Sequence, residues 1–192
     1  MRSDVSGEKD EEIVHQVQSG KIDFFGILVD RYEAKIRRYA RKFLSAKEDI
    51  KDIIQEIFIK TYTNIQSFDT KRKFSSWIYR IAHNELINAL KKKKKKALPL
   101  SLFDPDIFFP HSLRNNYLNQ QINRQDIQKM IDKCLDQLEP KYREPIILYY
   151  FEGLSYQEIA DVIQVPISTV GVRMKRAKET MKPIFKKLGY NL

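Results

Sequence analysis

The sequence predicts an all-α fold of two small helical domains, an N-terminal helical bundle and a C-terminal helix-turn-helix, joined by a flexible linker. Three observations carry that prediction. Strand signals are nearly absent, while apolar residues recur at spacings of three and four through most of the 192 residues. Pro99, Pro105 and Pro110 break that period between residues 97 and 125. The basic excess falls into separate blocks, with 20 basic against 9 acidic side chains in residues 21–96 and 7 against 3 in residues 154–192.

Residues 1–20 read as a polar N-terminal tail with a net charge of −3 and no signal-peptide core. The bundle follows over residues 21–96. Its first stripe is Phe24, Phe25, Leu28, Val29, Tyr32, Ile36, Tyr39, Ala40 and Phe43. From Asp49 to Ile65 the apolar positions are Ile50, Ile53, Ile54, Ile57, Phe58, Tyr62 and Ile65, and Asp49, Asp52 and Glu56 collect on another face. From Phe74 to Lys91 the stripe is Phe74, Trp77, Ile78, Ile81, Ala82, Leu86 and Leu90, with Arg80, His83, Asn84, Asn88 and Lys91 projecting away. The run Lys91 to Lys96 reads equally as a solvated helix end and as a polyanion contact. The linker, 97–125, is unusually apolar, with Leu98, Leu100, Leu102, Phe103, Ile107, Phe108 and Phe109, so it is expected to pack against something.

The second domain spans residues 126–188. A helix is expected over about Ile122 to Leu138, a break at Glu139-Pro140, and a second helix from about Lys141 to Phe151 with Pro145 in its first turn. Gly153 is placed to end it with a positive φ. Ser155 and Glu158 fit a capping box just before Ile159, Ala160, Val162 and Ile163. After Gln164-Val165-Pro166 a longer helix begins near Ile167, turning Val170, Met174, Ala177 and Met181 inward. This is the helix-turn-helix pattern. Its outward face holds Ser168, Thr169, Val172, Arg173, Lys175 and Arg176. Hydroxyls at the N-terminus and guanidinium groups along one side suit the major groove, where Arg reads guanine edges and phosphate contacts fix the register.

A net charge of +10 and a pI near 9.5 favour a polyanionic partner, and charge alone leaves nucleic acid and an anionic membrane surface both open. Cys134 is the single cysteine, so neither an intramolecular disulfide nor a cysteine-based zinc cage is expected. The longest apolar run, Ile146 to Phe151, is far too short to cross a bilayer. An intracellular, cytoplasmic protein without membrane insertion is the expectation.

The run from Leu135 through Pro140 to Arg143, followed by Glu152-Gly-Leu-Ser155-Tyr-Gln-Glu158-Ile-Ala160 and Ser168-Thr-Val-Gly-Val-Arg173-Met-Lys-Arg176-Ala177, closely resembles the DNA-binding domain of extracytoplasmic-function (ECF) sigma factors. Asp49-Ile-Lys-Asp52-Ile-Ile-Gln55-Glu56-Ile-Phe58 and Phe74-Ser-Ser-Trp77-Ile-Tyr-Arg80-Ile-Ala-His-Asn84 resemble that family's polymerase-binding and promoter-melting helices.

The resemblance implies a transcription-initiation factor that binds core RNA polymerase, at the largest-subunit coiled coil and the flap, and directs it to promoter DNA. It implies Asp49, Asp52, Gln55 and Glu56 as polymerase contacts. For the minus-ten element it implies Phe68, Lys71, Arg72, Lys73, Arg80, Asn84 and Asn88, cations and an aromatic beside melted bases. For the minus-thirty-five element it implies Ser168, Thr169, Val172, Arg173, Lys175 and Arg176. Phe74 and Trp77, on the apolar stripe, read mainly as core. An anti-sigma protein is a further partner that the family often implies. No catalytic residue, cofactor or metal follows from it.

The sequence departs from the family pattern at Gln164, where glycine is usual, at Ser168 and Val172, where glycine and serine are usual, and at Asn88 and Lys91, where Asp and Arg are common. An ordinary helix-turn-helix regulator acting without polymerase would leave the acidic helix and the melting segment unexplained. An enzyme would need a constellation that is missing: His15, His83 and His111 are scattered, and no Gly-rich phosphate loop, nucleophile elbow or HExxH occurs.

Overall fold

The computed structural model describes residues 7–95, 131 and 134–187. It shows helices and no strand among the described residues, falling into an N-terminal and a C-terminal compact unit. The linker, and most of the helix expected over Ile122 to Leu138, lie outside the described residues.

The N-terminal unit contains α1 (Asp10–Gln18), α2 (Phe25–Ala40), α3 (Lys47–Asn64) and α4 (Phe74–Lys95), with short 3-10 turns at Ile22–Phe24 and Ile65–Ser67. Helices α2, α3 and α4 pack on one another, each burying the stripe its sequence period dictates. Leu28, Ile36, Ile57, Ile78 and Leu86 are all fully buried. Aromatic side chains join the helices: the rings of Tyr32 and Phe74 meet edge to face at 5.4 Å, as do those of Tyr39 and Tyr79. Such pairs add about 0.5–1.5 kcal/mol each beyond the area they bury. Thr61, buried on α3, satisfies its hydroxyl on the Ile57 carbonyl at 2.7 Å.

One expectation about the N-terminal segment is corrected. The segment 1–20 is more than a polar tail: α1 buries Ile13, Val14 and Val17 and packs against α2 and α4. Its acidic first turn, Asp10, Glu11 and Glu12, complements the helix dipole. Asp10 then ties α1 to α2, accepting from the Tyr32 hydroxyl at 2.6 Å and from Arg31 at 2.7 Å. Burial, and next that hydrogen bond, push the Tyr32 phenol well above its ordinary range, so it stays a neutral donor. Helix α4 continues through Lys95, beyond the Lys91 end of its expected stripe, so the backbone of most of the polylysine run is helical.

The C-terminal unit contains a helical turn at 134–136, then α5 (Pro140–Tyr150), α6 (Tyr156–Ile163) and α7 (Ile167–Lys187). Helix α5 packs along α7. Helix α5 starts one residue earlier than expected, because Pro140 itself takes the first helical position, where its missing N–H costs nothing. Pro145, the sixth residue of the helix, stands in the second turn rather than the first, as it would in a helix begun at Lys141. Arg143, only 7% exposed, donates to the backbone oxygens of Asp136 and Leu138 at 2.9 and 3.1 Å and so fastens α5 to the preceding turn. Cys134 is buried, and burial pushes its thiol upward, away from the reactive thiolate.

The capping box forms as the sequence predicts: Ser155 Oγ accepts from the Glu158 N–H at 3.3 Å, and the Glu158 carboxylate accepts from the Ser155 N–H at 2.7 Å. Gly153 adopts φ 70°. Gln164 is the one non-glycine residue with positive φ among the described residues, at φ 55° and ψ 48°. It ends α6 in the left-handed conformation that glycine adopts without the Cβ penalty. Gln164→Gly should therefore stabilise the C-terminal unit by about 1 kcal/mol, read as a higher urea midpoint of its unfolding transition. An unchanged or lower midpoint would show that the turn carries no such strain.

Candidate functional site

Helix α3 presents Asp52, Gln55 and Glu56 to solvent, while Asp49 is half-buried one turn earlier. The positions share a face because residues three and four apart are helical neighbours. The acidity is bounded at its C-terminal end by Lys60. Its ammonium lies 2.8 Å from Glu85 on α4 and 3.5 Å from Glu56, and the Glu85 hydrogen bond shifts it upward, keeping it charged.

Beside the acidic residues runs an apolar groove of about 520 Å³ between α2 and α3. Phe25, Val29, Ile54, Phe58, Ile59 and Tyr62 line it, and Gln55 stands on its rim. Ile59 is 55% exposed and Tyr62 40%, with Phe25 edge-on to Tyr62 at 5.1 Å. Sequence reasoning missed this groove by placing Tyr62 on the core stripe. The available signal was Ile59, an isoleucine off the helical period that the core does not use.

The loop 69–73 follows α3 and its 3-10 turn. The Asp69 carboxylate accepts from the Lys71 N–H at 3.0 Å and its carbonyl from the Arg72 N–H at 2.9 Å, a turn that places Lys71, Arg72 and Lys73 in succession at the surface. Helix α4 continues the cationic and polar surface with Arg80, Asn84 and Asn88, all exposed and spaced four apart on one stripe.

Phe68 requires a correction. It is 6% exposed, its ring lying 5.8 Å from Phe74 and 5.0 Å from Trp77, so it is a core residue and presents no face to a base. The apolar drive that made it attractive as a stacking surface is spent on the loop's own packing. Trp77 remains half-exposed, leaving part of an indole beside the loop cations.

On α7, Ser168, Val172, Lys175 and Arg176 are exposed, and Thr169 and Arg173 are half-buried on the flank of the same face. Val170, Met174 and Ala177 are buried behind them. Arg176 donates to the Tyr142 hydroxyl at 3.1 Å, an interaction that shifts the guanidinium upward and aims it. Such a surface, cations and hydroxyls on one rigid helix, suits duplex DNA. Among the described residues no group of three His, Cys, Asp or Glu side chains is placed to hold a metal ion, and no helix is long and apolar enough to cross a membrane.

Residues 28–96 match Sigma-70 region 2 and residues 128–181 match Sigma-70, region 4. The chain is 33% identical over 177 residues to the ECF RNA polymerase sigma factor SigW of Bacillus subtilis (strain 168), covering 88% of this chain and 92% of that protein. The chain belongs to the ECF RNA polymerase sigma factors. This sigma factor is also 30% identical over 179 residues to the ECF RNA polymerase sigma-E factor of Escherichia coli (strain K12), covering 90% of it and 92% of the relative. Its fold is similar to that of CnrH, solved in complex with the cytosolic domain of CnrY, with a TM-score of 0.65, 24% identity, and coverage of 93% and 97% of the two chains. The sigma factor RpoE from Bartonella quintana, solved with the anti-sigma factor NepR, gives a TM-score of 0.65, 21% identity, and coverage of 84% and 96%.

The chain is therefore an RNA polymerase sigma factor acting in promoter-specific transcription initiation. A regulator built on a helix-turn-helix alone would not carry region 2 over residues 28–96.

Proposed function

We propose that this sigma factor grips the largest-subunit coiled coil of core RNA polymerase with Asp52, Gln55, Glu56 and the adjoining α2–α3 groove, Asp49 supporting the edge of that face. Loop residues Lys71, Arg72 and Lys73, with Arg80, Asn84 and Asn88 on α4, take the non-template strand of the minus-ten element as it opens. Ser168, Thr169, Val172, Arg173, Lys175 and Arg176 on α7 read the minus-thirty-five element, and the same C-terminal unit meets the polymerase flap. The polymerase and melting functions lie in residues 21–96, with α1 added to that unit, and duplex recognition in residues 126–188. Its action is cytoplasmic and non-catalytic.

The observation that carries this reading is the division of labour within one helical unit. Helix α3 offers acidic side chains beside exposed apolar surface, as a protein partner needs, whereas loop 69–73 and α4 offer cations, amides and a half-exposed indole, as an unpaired strand needs. A strand pulled from the duplex loses stacking and brings its phosphate charge with it, and both losses are met by those groups. CnrH and the Bartonella quintana RpoE were each solved with a bound regulator, and we extend the partner set of this chain to an anti-sigma protein on that likeness.

Run-off transcription with core polymerase and the purified chain over genomic templates tests the proposal. Discrete chain-dependent transcripts are expected, and their absence on every template would refute it.

A further inference from the structure

The loop that carries Lys71, Arg72 and Lys73 leaves the core at Phe68 and returns to it at Phe74. Both ends are fastened to the same short helix, α1. At the first end the Gln18 side-chain amide donates to the backbone oxygens of Ile65 and Phe68, at 2.7 and 2.9 Å. The Gln66 side chain returns a bond to the Gln18 carbonyl at 3.3 Å. At the second end the Phe74 N–H, the first of α4, donates to the Glu11 carboxylate at 2.8 Å. A carboxylate there also faces the positive end of the α4 dipole.

Glu11 and Gln18 are seven residues apart, two helical turns, and so stand on one face of α1 about 10 Å from each other along its axis. Helix α1 is itself fixed by buried Ile13, Val14 and Val17 and by the Asp10 bonds to Arg31 and Tyr32. From this we infer that α1 is a brace setting the span of the promoter-opening loop, with Glu11 and Gln18 as positioning residues for capture of the minus-ten strand.

The two anchored residues are the ones whose rings support Trp77, Phe68 at 5.0 Å and Phe74 at 5.8 Å. Loosening either anchor therefore moves the cations and the indole together. Pre-organised contacts bind more tightly because their ordering cost is met on folding rather than on binding. The polar residues of α1 that this requires look functionless in the sequence, since their partners are backbone groups 47 to 63 residues away.

This inference rests on the proposal that loop 69–73 takes the minus-ten strand. Its test uses the full chain with core polymerase and a promoter duplex carrying 2-aminopurine in the non-template minus-ten strand. Glu11→Ala and Gln18→Met should each slow the fluorescence rise on opening about tenfold, the order for losing one hydrogen bond to a charged group at Glu11 or two neutral ones at Gln18. They should also narrow the preference for the native over a substituted minus-ten base, while core affinity stays at the wild-type value. Glu11→Gln, which keeps an acceptor oxygen for Phe74, should open at close to the wild-type rate.

Wild-type opening and base preference in Glu11→Ala and Gln18→Met, beside a loop variant K71A/R72A/K73A that fails to open, would overturn the brace alone. Wild-type opening by that loop variant would overturn the loop assignment and the brace with it. Amide hydrogen exchange on the free chain gives an independent reading: the Phe74 N–H should exchange at least about tenfold faster in Glu11→Ala. Equal protection there would also overturn the inference.

Discussion

Glu56→Lys is expected to weaken binding of this sigma factor to core RNA polymerase about 100-fold, roughly 2.7 kcal/mol, while leaving its fold and promoter choice intact. The reversal puts a cation where a proposed partner surface expects an anion, and like charges across an interface cost several kcal/mol. Inside the chain its effect is small. Lys60, 3.5 Å from Glu56, keeps its shorter 2.8 Å bond to Glu85, and the new Lys-Lys pair one turn apart costs a few tenths of a kcal/mol, about 0.2–0.5. The binding deficit should shrink as salt rises, because added ions screen repulsion between exposed charges. Titration of a labelled chain with core polymerase measures it. Wild-type affinity for Glu56→Lys would place the docking face elsewhere.

Arg173→Ala is expected to lower selectivity for the minus-thirty-five element by about 1–3 kcal/mol, some 5- to 150-fold, with core affinity unchanged. Arg173 is half-buried on the flank of α7, held over a face whose inner side is the packed row Val170, Met174 and Ala177. A guanidinium presented from a rigid helix loses little freedom on meeting a guanine edge or a phosphate. Which of the two it meets is readable from the pattern. Loss confined to one base position indicates a base contact, whereas uniform loss with a shallower salt slope indicates a phosphate. Lys175→Ala, at an exposed point charge, should give the second pattern. Unchanged promoter choice in Arg173→Ala would remove α7 as the reading helix.

Much of this organisation was legible in the residues because local chemistry and tertiary packing agree there. The stripes of α2, α3 and α4 follow from the helical period, and the Ser155–Glu158 box forms as written. Gln164, where the family usually has glycine, adopts a positive φ of 55°. The misses over α1, Phe68 and Tyr62 share a cause: they depend on tertiary packing that the local pattern does not report. Helix α1 is nine residues long and strongly acidic at its start, so its charge hid the three apolar residues that bury it.

Phe68 read as a stacking surface because an aromatic among cations looks exposed; only the approach of Phe74 and Trp77 withdraws it into the core. Tyr62 read as core because its spacing fits the stripe, yet α2 leaves that end of α3 uncovered and creates the groove. Pro145 was misplaced by counting alone: even in a helix begun at Lys141 it is the fifth residue, already past a first turn of about 3.6 residues.

The most direct test of the account is whether the full chain, mixed with core RNA polymerase, elutes with it as a stoichiometric complex on gel filtration at moderate salt. Co-elution of the wild-type chain and its loss in Glu56→Lys are the predicted results. Separate elution of the wild-type chain at micromolar concentrations would contradict the claim that α3 couples this DNA-binding protein to the polymerase.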